Sequence, residues 1–253
     1  MIQIDKNIIS VNGNDFEYAV KGTKSPAIIL INGAGGPIEG WLKIWQELGR
    51  ENLVFAYNRL GIGRSSKPKE PQTGIVMVKD LKELLLSLKI EPPYLFVGHS
   101  LGGFIAHLFA ITYPDDVRGL VFLESSTIKD VLTDSKRKKT DPNKLSEVNH
   151  VLSTIKQIQE LGVFPKIPII VVAGNKPAFG WIMPRTIKEA RMNHQKELLS
   201  LSGIGRVAIA RNSGHYPQIS EPNLVIHEIN SLLHEIESRM DVSEIKSLRG
   251  KNK

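Results

Sequence analysis

Tyr94-Leu95-Phe96-Val97-Gly98-His99-Ser100-Leu101-Gly102-Gly103 decides how the chain folds. The first four residues are apolar and suit a buried strand. An apolar helical pattern runs from Phe104 to Tyr113 and stops at Pro114. Between strand and helix, Gly98-His99-Ser100-Leu101-Gly102 spells G-x-S-x-G. In that setting the chain turns sharply at the serine and exposes its hydroxyl above the end of the strand. Side chains two positions either side would collide in so tight a turn, hence Gly98 and Gly102. Gly103 lets the following helix pack closely.

Outward from this turn, short apolar runs recur at Ala27–Ile31, Leu53–Tyr57, Leu120–Leu123, Ile167–Val172 and Val207–Ala210. They are near-continuous rather than alternating, as strands buried on both faces should be. Helical spacing fills the gaps: Trp41, Ile44, Trp45 and Leu48, then Val78, Leu81, Leu84, Leu85 and Leu88. Later helices are expected over Thr186–Leu201 and Leu224–Ile236. Near the N-terminus, Ile8–Val11 and Phe16–Val20 flank Asn12-Gly13 and predict a hairpin. Strands alternating with helices imply an α/β fold with a mostly parallel central sheet covered by helices on both faces.

One stretch breaks the alternation. More than forty residues separate the runs at 120–123 and 167–172, too many for an ordinary loop. Leu145, Val148, Leu152, Ile155, Ile158 and Leu161 mark an amphipathic helix within it. The expected organisation is a single domain with its core in residues 1–124 and 166–253 and a small helical cap inserted at 125–165. Ser247–Lys253 is polar and is expected to fray.

The 253 residues carry no cysteine, which excludes disulfides, thiolate catalysis and thiolate metal sites. The formal net charge of +7 is concentrated. Lys136-Arg137-Lys138-Lys139 supplies four charges and residues 239–253 a net three, so the remainder is neutral. Neither run is interleaved with aromatic residues, and the basic stripe that nucleic-acid binding needs is missing. No apolar run approaches the roughly 18 residues of a membrane span. The first residues do not read as a signal peptide, and a cytoplasmic protein is expected. Gly61-Ile62-Gly63 is followed by Ser66 where a dinucleotide-binding loop has its third glycine, and no P-loop or metal-binding helix motif occurs. No cofactor and no metal are expected, and no oligomeric state is assigned.

A serine hydroxyl needs a base within hydrogen-bond reach. Of seven histidines, His99 neighbours Ser100 but should point to the other side of the turn. His107, His150, His194, His227 and His234 fall on helical stretches. His215 follows the last strand-like run in the polar loop Asn212-Ser213-Gly214, from which it can reach the serine.

The sequence resembles the α/β-hydrolase fold family over almost its whole length. The elbow around Ser100 carries the resemblance together with Ser213-Gly214-His215-Tyr216, Asn32-Gly33-Ala34-Gly35-Gly36 and Arg59-Leu60-Gly61-Ile62-Gly63-Arg64-Ser65. The resemblance implies Ser100 as nucleophile, His215 as base, and an oxyanion hole from the backbone N–H groups of Ala34 and Leu101. The family's common acid, an Asp just after the penultimate strand, is absent: Gly174-Asn175-Lys176-Pro177 stands there. Some members take the acid from the end of the preceding strand, where Glu124 lies. Asn175 as orienter, or a dyad with no acid, stay open. Gly33, Gly35, His99 and Trp181 are expected to line the substrate site. The implied activity is serine hydrolysis of a small-molecule carboxylic ester. Cofactor-free lyase, C–C hydrolase or perhydrolase chemistry with the same triad is an alternative, as is a ligand receptor on the same scaffold.

Overall fold

The computed structural model describes residues 3–135, 141, 143–176 and 184–250. β1 (Asn7–Val11) and β2 (Asn14–Lys21) form the expected hairpin. Asn12 and Gly13 between them take φ of 51° and 75°, as a two-residue turn of this kind requires. β3 (Lys24–Ile31), β4 (Asn52–Tyr57), β5 (Tyr94–His99), β6 (Val117–Leu123), β7 (Ile169–Gly174) and β8 (Gly205–Ala210) complete an eight-stranded sheet. Its order is β1-β2-β4-β3-β5-β6-β7-β8. β2 meets β4 antiparallel, and every pairing from β4 onward is parallel.

The helices are α1 (Leu42–Leu48), α2 (Gly74–Ser87), α3 (Leu101–Thr112), α4 (Ile128–Ser135) and α5 (Val151–Glu160), then α6 (Arg185–Glu197), α7 (Pro217–Ser220) and α8 (Pro222–Gly250). On one face of the sheet, Ile29, Ile31, Phe96 and Phe122 pack under α2, α3 and α5. On the other, Ile28, Leu30, Leu95 and Val97 pack under α1 and α8. Successive residues of each central strand therefore enter opposite cores, and both must be apolar. Each such fully buried side chain contributes roughly 1.5–3 kcal/mol relative to exposure.

Three expectations need correction. The helix marked from Leu145 starts at Val151. Leu145 lies in a loop whose carbonyl accepts the Gln72 N–H at 2.9 Å, and Val148 belongs to a separate 3-10 turn, Glu147–Asn149. The helix expected over Thr186–Leu201 ends at Glu197 and tightens into a 3-10 turn over Leu198–Leu201. The last helix continues well past Ile236 to Gly250. Its polar end contains no Pro or interior Gly to stop it, and its residues are mostly good helix formers. Among the described residues no helix is long and apolar enough to cross a membrane. The basic run at Lys136–Lys139 lies outside the described residues.

Candidate active site

Ser100 stands at the end of β5 with φ 50° and ψ −119°, a conformation that L side chains rarely adopt. The turn exists because nothing obstructs it. A Cβ on Gly98 would lie 2.7 Å from the Gly102 carbonyl oxygen, and one on Gly102 would lie 2.1 Å from that of Ile31. The turn is tied to the neighbouring strand: Ser100 N–H donates to Leu123 at 3.2 Å and Ser126 N–H donates to the Ser100 carbonyl at 3.0 Å. Leu101 opens α3, so its N–H is among those a helix start leaves without an intrahelical acceptor.

The loop after β3 closes over this turn. A Cβ on Gly33 would meet Ser100 Cβ and His99 Nδ1 at 3.0 Å each. Ala34 is exposed, and its N–H has no acceptor among the described residues. The loop's shape comes from a buried charge pair. Arg59, 2 % exposed, donates through its two terminal nitrogens to the carbonyls of Asn32 at 2.9 Å and Gly33 at 2.7 Å. The same guanidinium grips Glu147 of the 3-10 turn, Nε to Oε2 at 2.5 Å and Nη2 to Oε1 at 2.8 Å. Glu147 Oε1 also accepts the Gly35 N–H at 2.8 Å. Burial alone would push the Glu147 carboxyl up, but the Arg59 charge and the hydrogen bonds from Arg59 and Gly35 hold it below the usual carboxylate range. Gly35 therefore spends its N–H inside the protein, and Gly33 its carbonyl.

His215 follows β8, and its loop is fixed by His99. The His99 ring is buried, and its Nε2 lies 2.7 Å from the His215 carbonyl. A carbonyl only accepts, so Nε2 carries the proton. Burial first, and the neighbouring His215 second, push the His99 pKa down to about 4, which keeps its ring neutral. The two rings lie 4.8 Å apart, with Tyr216 at 5.1 Å from each. His99 thus supports the loop of His215 from beneath.

Glu124 directly follows β6 and is 3 % exposed, with φ 41°. Its Oε1 accepts the Gly174 N–H at 2.7 Å. Its Oε2 lies 3.7 Å from His215 Nδ1 and is hydrogen-bonded by Arg191 of α6. The Glu124 N–H joins the Val172 carbonyl at 2.9 Å, so β7 holds both ends of the residue. Asn175 is held through its backbone to Ala210 at 3.0 Å.

A cavity of about 620 Å³ opens beside Glu124 and His215. Ser126, Asp130, Thr186, Arg191 and His194 are among its walls, and His194 Nδ1 meets Asp130 at 2.7 Å. Two residues that shape this site, Glu147 and Arg191, carry no sequence signal for it. Glu147 sits in a polar stretch 88 residues from Arg59, and Arg191 on a helix whose buried residue is Gln195. Trp181 lies outside the described residues.

A family model described as the alpha/beta hydrolase fold matches residues 26–157, just over half of the chain. The chain belongs to the α/β hydrolase fold family. It is 29% identical over 219 residues to the uncharacterized protein YqjL of Bacillus subtilis (strain 168), covering 81% of this chain and 82% of that protein. It is 31% identical over 106 residues to 1-acylglycerol-3-phosphate O-acyltransferase ABHD5 of Rattus norvegicus, covering 40% of this chain and only 30% of that protein. Among solved structures, the enol-lactonase from Burkholderia xenovorans LB400 superposes with a TM-score of 0.65 at 16% identity, over 90% of this chain and 100% of that one. A serine hydrolase involved in carbazole degradation, CarC, gives 0.66 at 19% identity, over 92% and 99%. At such identities these likenesses speak to the fold alone.

Proposed function

We propose that the protein is a serine hydrolase of small-molecule carboxylic esters, of esterase, lactonase or thioesterase type, acting through Ser100, His215 and Glu124. The observation that carries this reading is the junction of β5 and β6. A strained serine and a buried carboxylate end adjacent strands, with a histidine loop buttressed between them.

In the proposed reaction Ser100 Oγ attacks the ester carbonyl carbon while its proton passes to His215 Nε2. The carbonyl oxygen becomes an oxyanion held by the N–H groups of Ala34 and Leu101, and the start of α3 adds a favourable dipole. Collapse breaks the bond to the leaving oxygen or sulfur, which takes the proton from His215. Water then gives its proton to His215 and attacks the acyl carbon. The second collapse returns the proton to Ser100 and releases the acid. Glu124 holds the Nδ1–H tautomer and balances the imidazolium. Residues 125–165 act as a cap over this site, anchored by Glu147.

The test needs no substrate. The protein is treated with a fluorophosphonate and the adduct located by mass spectrometry, beside His215→Ala and Glu124→Ala. Labelling at Ser100, slowed at least tenfold in both variants, is expected. A protein that folds but leaves Ser100 unlabelled is no serine hydrolase. The 3.7 Å gap between Glu124 and His215, with Arg191 on the same oxygen, favours a second reading in that event: a ligand receptor on a hydrolase scaffold.

A further inference from the structure

Glu124 Oε2 has two claimants. Arg191 is hydrogen-bonded to it, whereas His215 Nδ1 at 3.7 Å is beyond hydrogen-bond length. Oε1 is already filled by Gly174. The carboxylate is almost wholly buried, but Arg191 is 29 % exposed and forms part of the cavity wall. Its guanidinium is thus the solvent-facing partner of a buried acid. Lys176 and Lys188 stand beside it around Glu124, and neither has a carboxylate partner among the described residues. The cavity's other acid, Asp130, is taken by His194 and by the Thr127 hydroxyl, each at 2.7 Å. The small pocket around Glu124 gathers three cations, Lys176, Lys188 and Arg191, against that one acid, and its field favours an anion.

Resting on the serine-hydrolase reading above, we propose that Arg191 recognises a carboxylate on the substrate, and that its passage from Glu124 to that carboxylate leaves Glu124 Oε2 free to accept the His215 Nδ1–H. The preferred substrate is then an ester that bears a second, ionised carboxyl group. The guanidinium already fits one carboxylate, that of Glu124, and its planar fork suits such a group better than a point charge does. Pulling an arginine off a buried carboxylate is unfavourable unless another anion replaces it. A neutral ester offers no replacement, so it meets a triad whose acid is engaged elsewhere. An anionic ester completes the triad as it binds, which couples specificity to catalysis.

Matched 4-nitrophenyl esters of butyric and succinic acid test this, since they differ at the far end of a four-carbon acyl chain by one carboxylate. The parent is expected to favour the succinate monoester by at least about tenfold in kcat/KM. Arg191→Gln is expected to lose about 10–100-fold on the succinate monoester, the range of a charge-assisted hydrogen bond, and to gain in kcat on the butyrate. Arg191→Lys should recover part of the succinate preference. Equal losses on both esters in Arg191→Gln, or a parent that prefers butyrate, would overturn the proposal and leave Arg191 a structural prop. Fluorophosphonate labelling of Ser100 runs alongside. Labelling without charge preference removes the role of Arg191 alone, whereas absent labelling in the parent removes the serine-hydrolase reading and this inference with it.

Discussion

Ser100 and Glu124 directly follow two neighbouring parallel strands, and both turn into positive φ, 50° and 41°. Among the described residues only Asn12 and Lys89 share that feature without being glycine. Asn12 sits in the hairpin turn, where Asn is at ease, and Lys89 follows the end of α2. The other two belong to the candidate site.

The strain at Ser100 has a measurable cost. Ser100→Gly is expected to raise the stability of the protein by about 1 kcal/mol in urea unfolding, because glycine adopts this conformation freely. On the proposed reading the same change is expected to abolish labelling and turnover. Unchanged or lower stability would mean that the serine side chain returns what its backbone loses.

The Arg59–Glu147 pair offers a second test. Both residues are buried, and breaking such a pair from one side typically costs about 3–5 kcal/mol. Arg59→Met and Glu147→Gln should each fall in that range by urea unfolding. Their combination should cost clearly less than the two losses added together, since the second change removes a charge already stranded. Glu147→Gln should also lower kcat more than it raises KM, because the loop carrying the Ala34 N–H loses its anchor. Additive losses would show that the two side chains do not act as a pair.

His107 is expected to contribute to acid sensitivity. This residue lies on α3, buried with its ring 5.1 Å from that of Phe164, and burial pushes its pKa down to about 4. The folded state disfavours the proton, so the unfolded chain binds more protons between about pH 6.5 and 4, and stability falls as the pH falls through that window. The full shift corresponds to roughly 3 kcal/mol. His99, also near 4, acts in the same direction, and Asp80, pushed up to about 6 by burial, acts against them. Melting temperatures taken from pH 7 to pH 4 should fall for the parent, and less steeply for His107→Leu. Parallel curves would place the acid sensitivity elsewhere.

The strands were legible because burial on both faces writes itself as an unbroken apolar run; Ile28–Ile31 and Phe96-Val97 are examples. The elbow was legible because its glycines answer to local backbone clearance. His215 and Glu124 were within reach because each follows a strand that ends at the same edge. Arg191 and Glu147 were not. Each acts across a long sequence separation through charge, and a single charged residue on an exposed helix or polar turn looks like any solvated one. The start of α5 is hidden in the sequence for a related reason. Leu145 and Val148 continue its apolar spacing, but the chain there turns back to dock Glu147, and Val148 ends up half exposed.

That docking bears on how such a scaffold can be re-engineered. Exchanging the stretch between β6 and β7 for that of a relative is a natural route to altered selectivity. In this protein the exchange would also withdraw Glu147, leaving Arg59 as an unpaired buried cation and the Gly35 amide without its acceptor. The stretch is not a detachable module. A chimera must carry an acid to that position or change Arg59 in the same step.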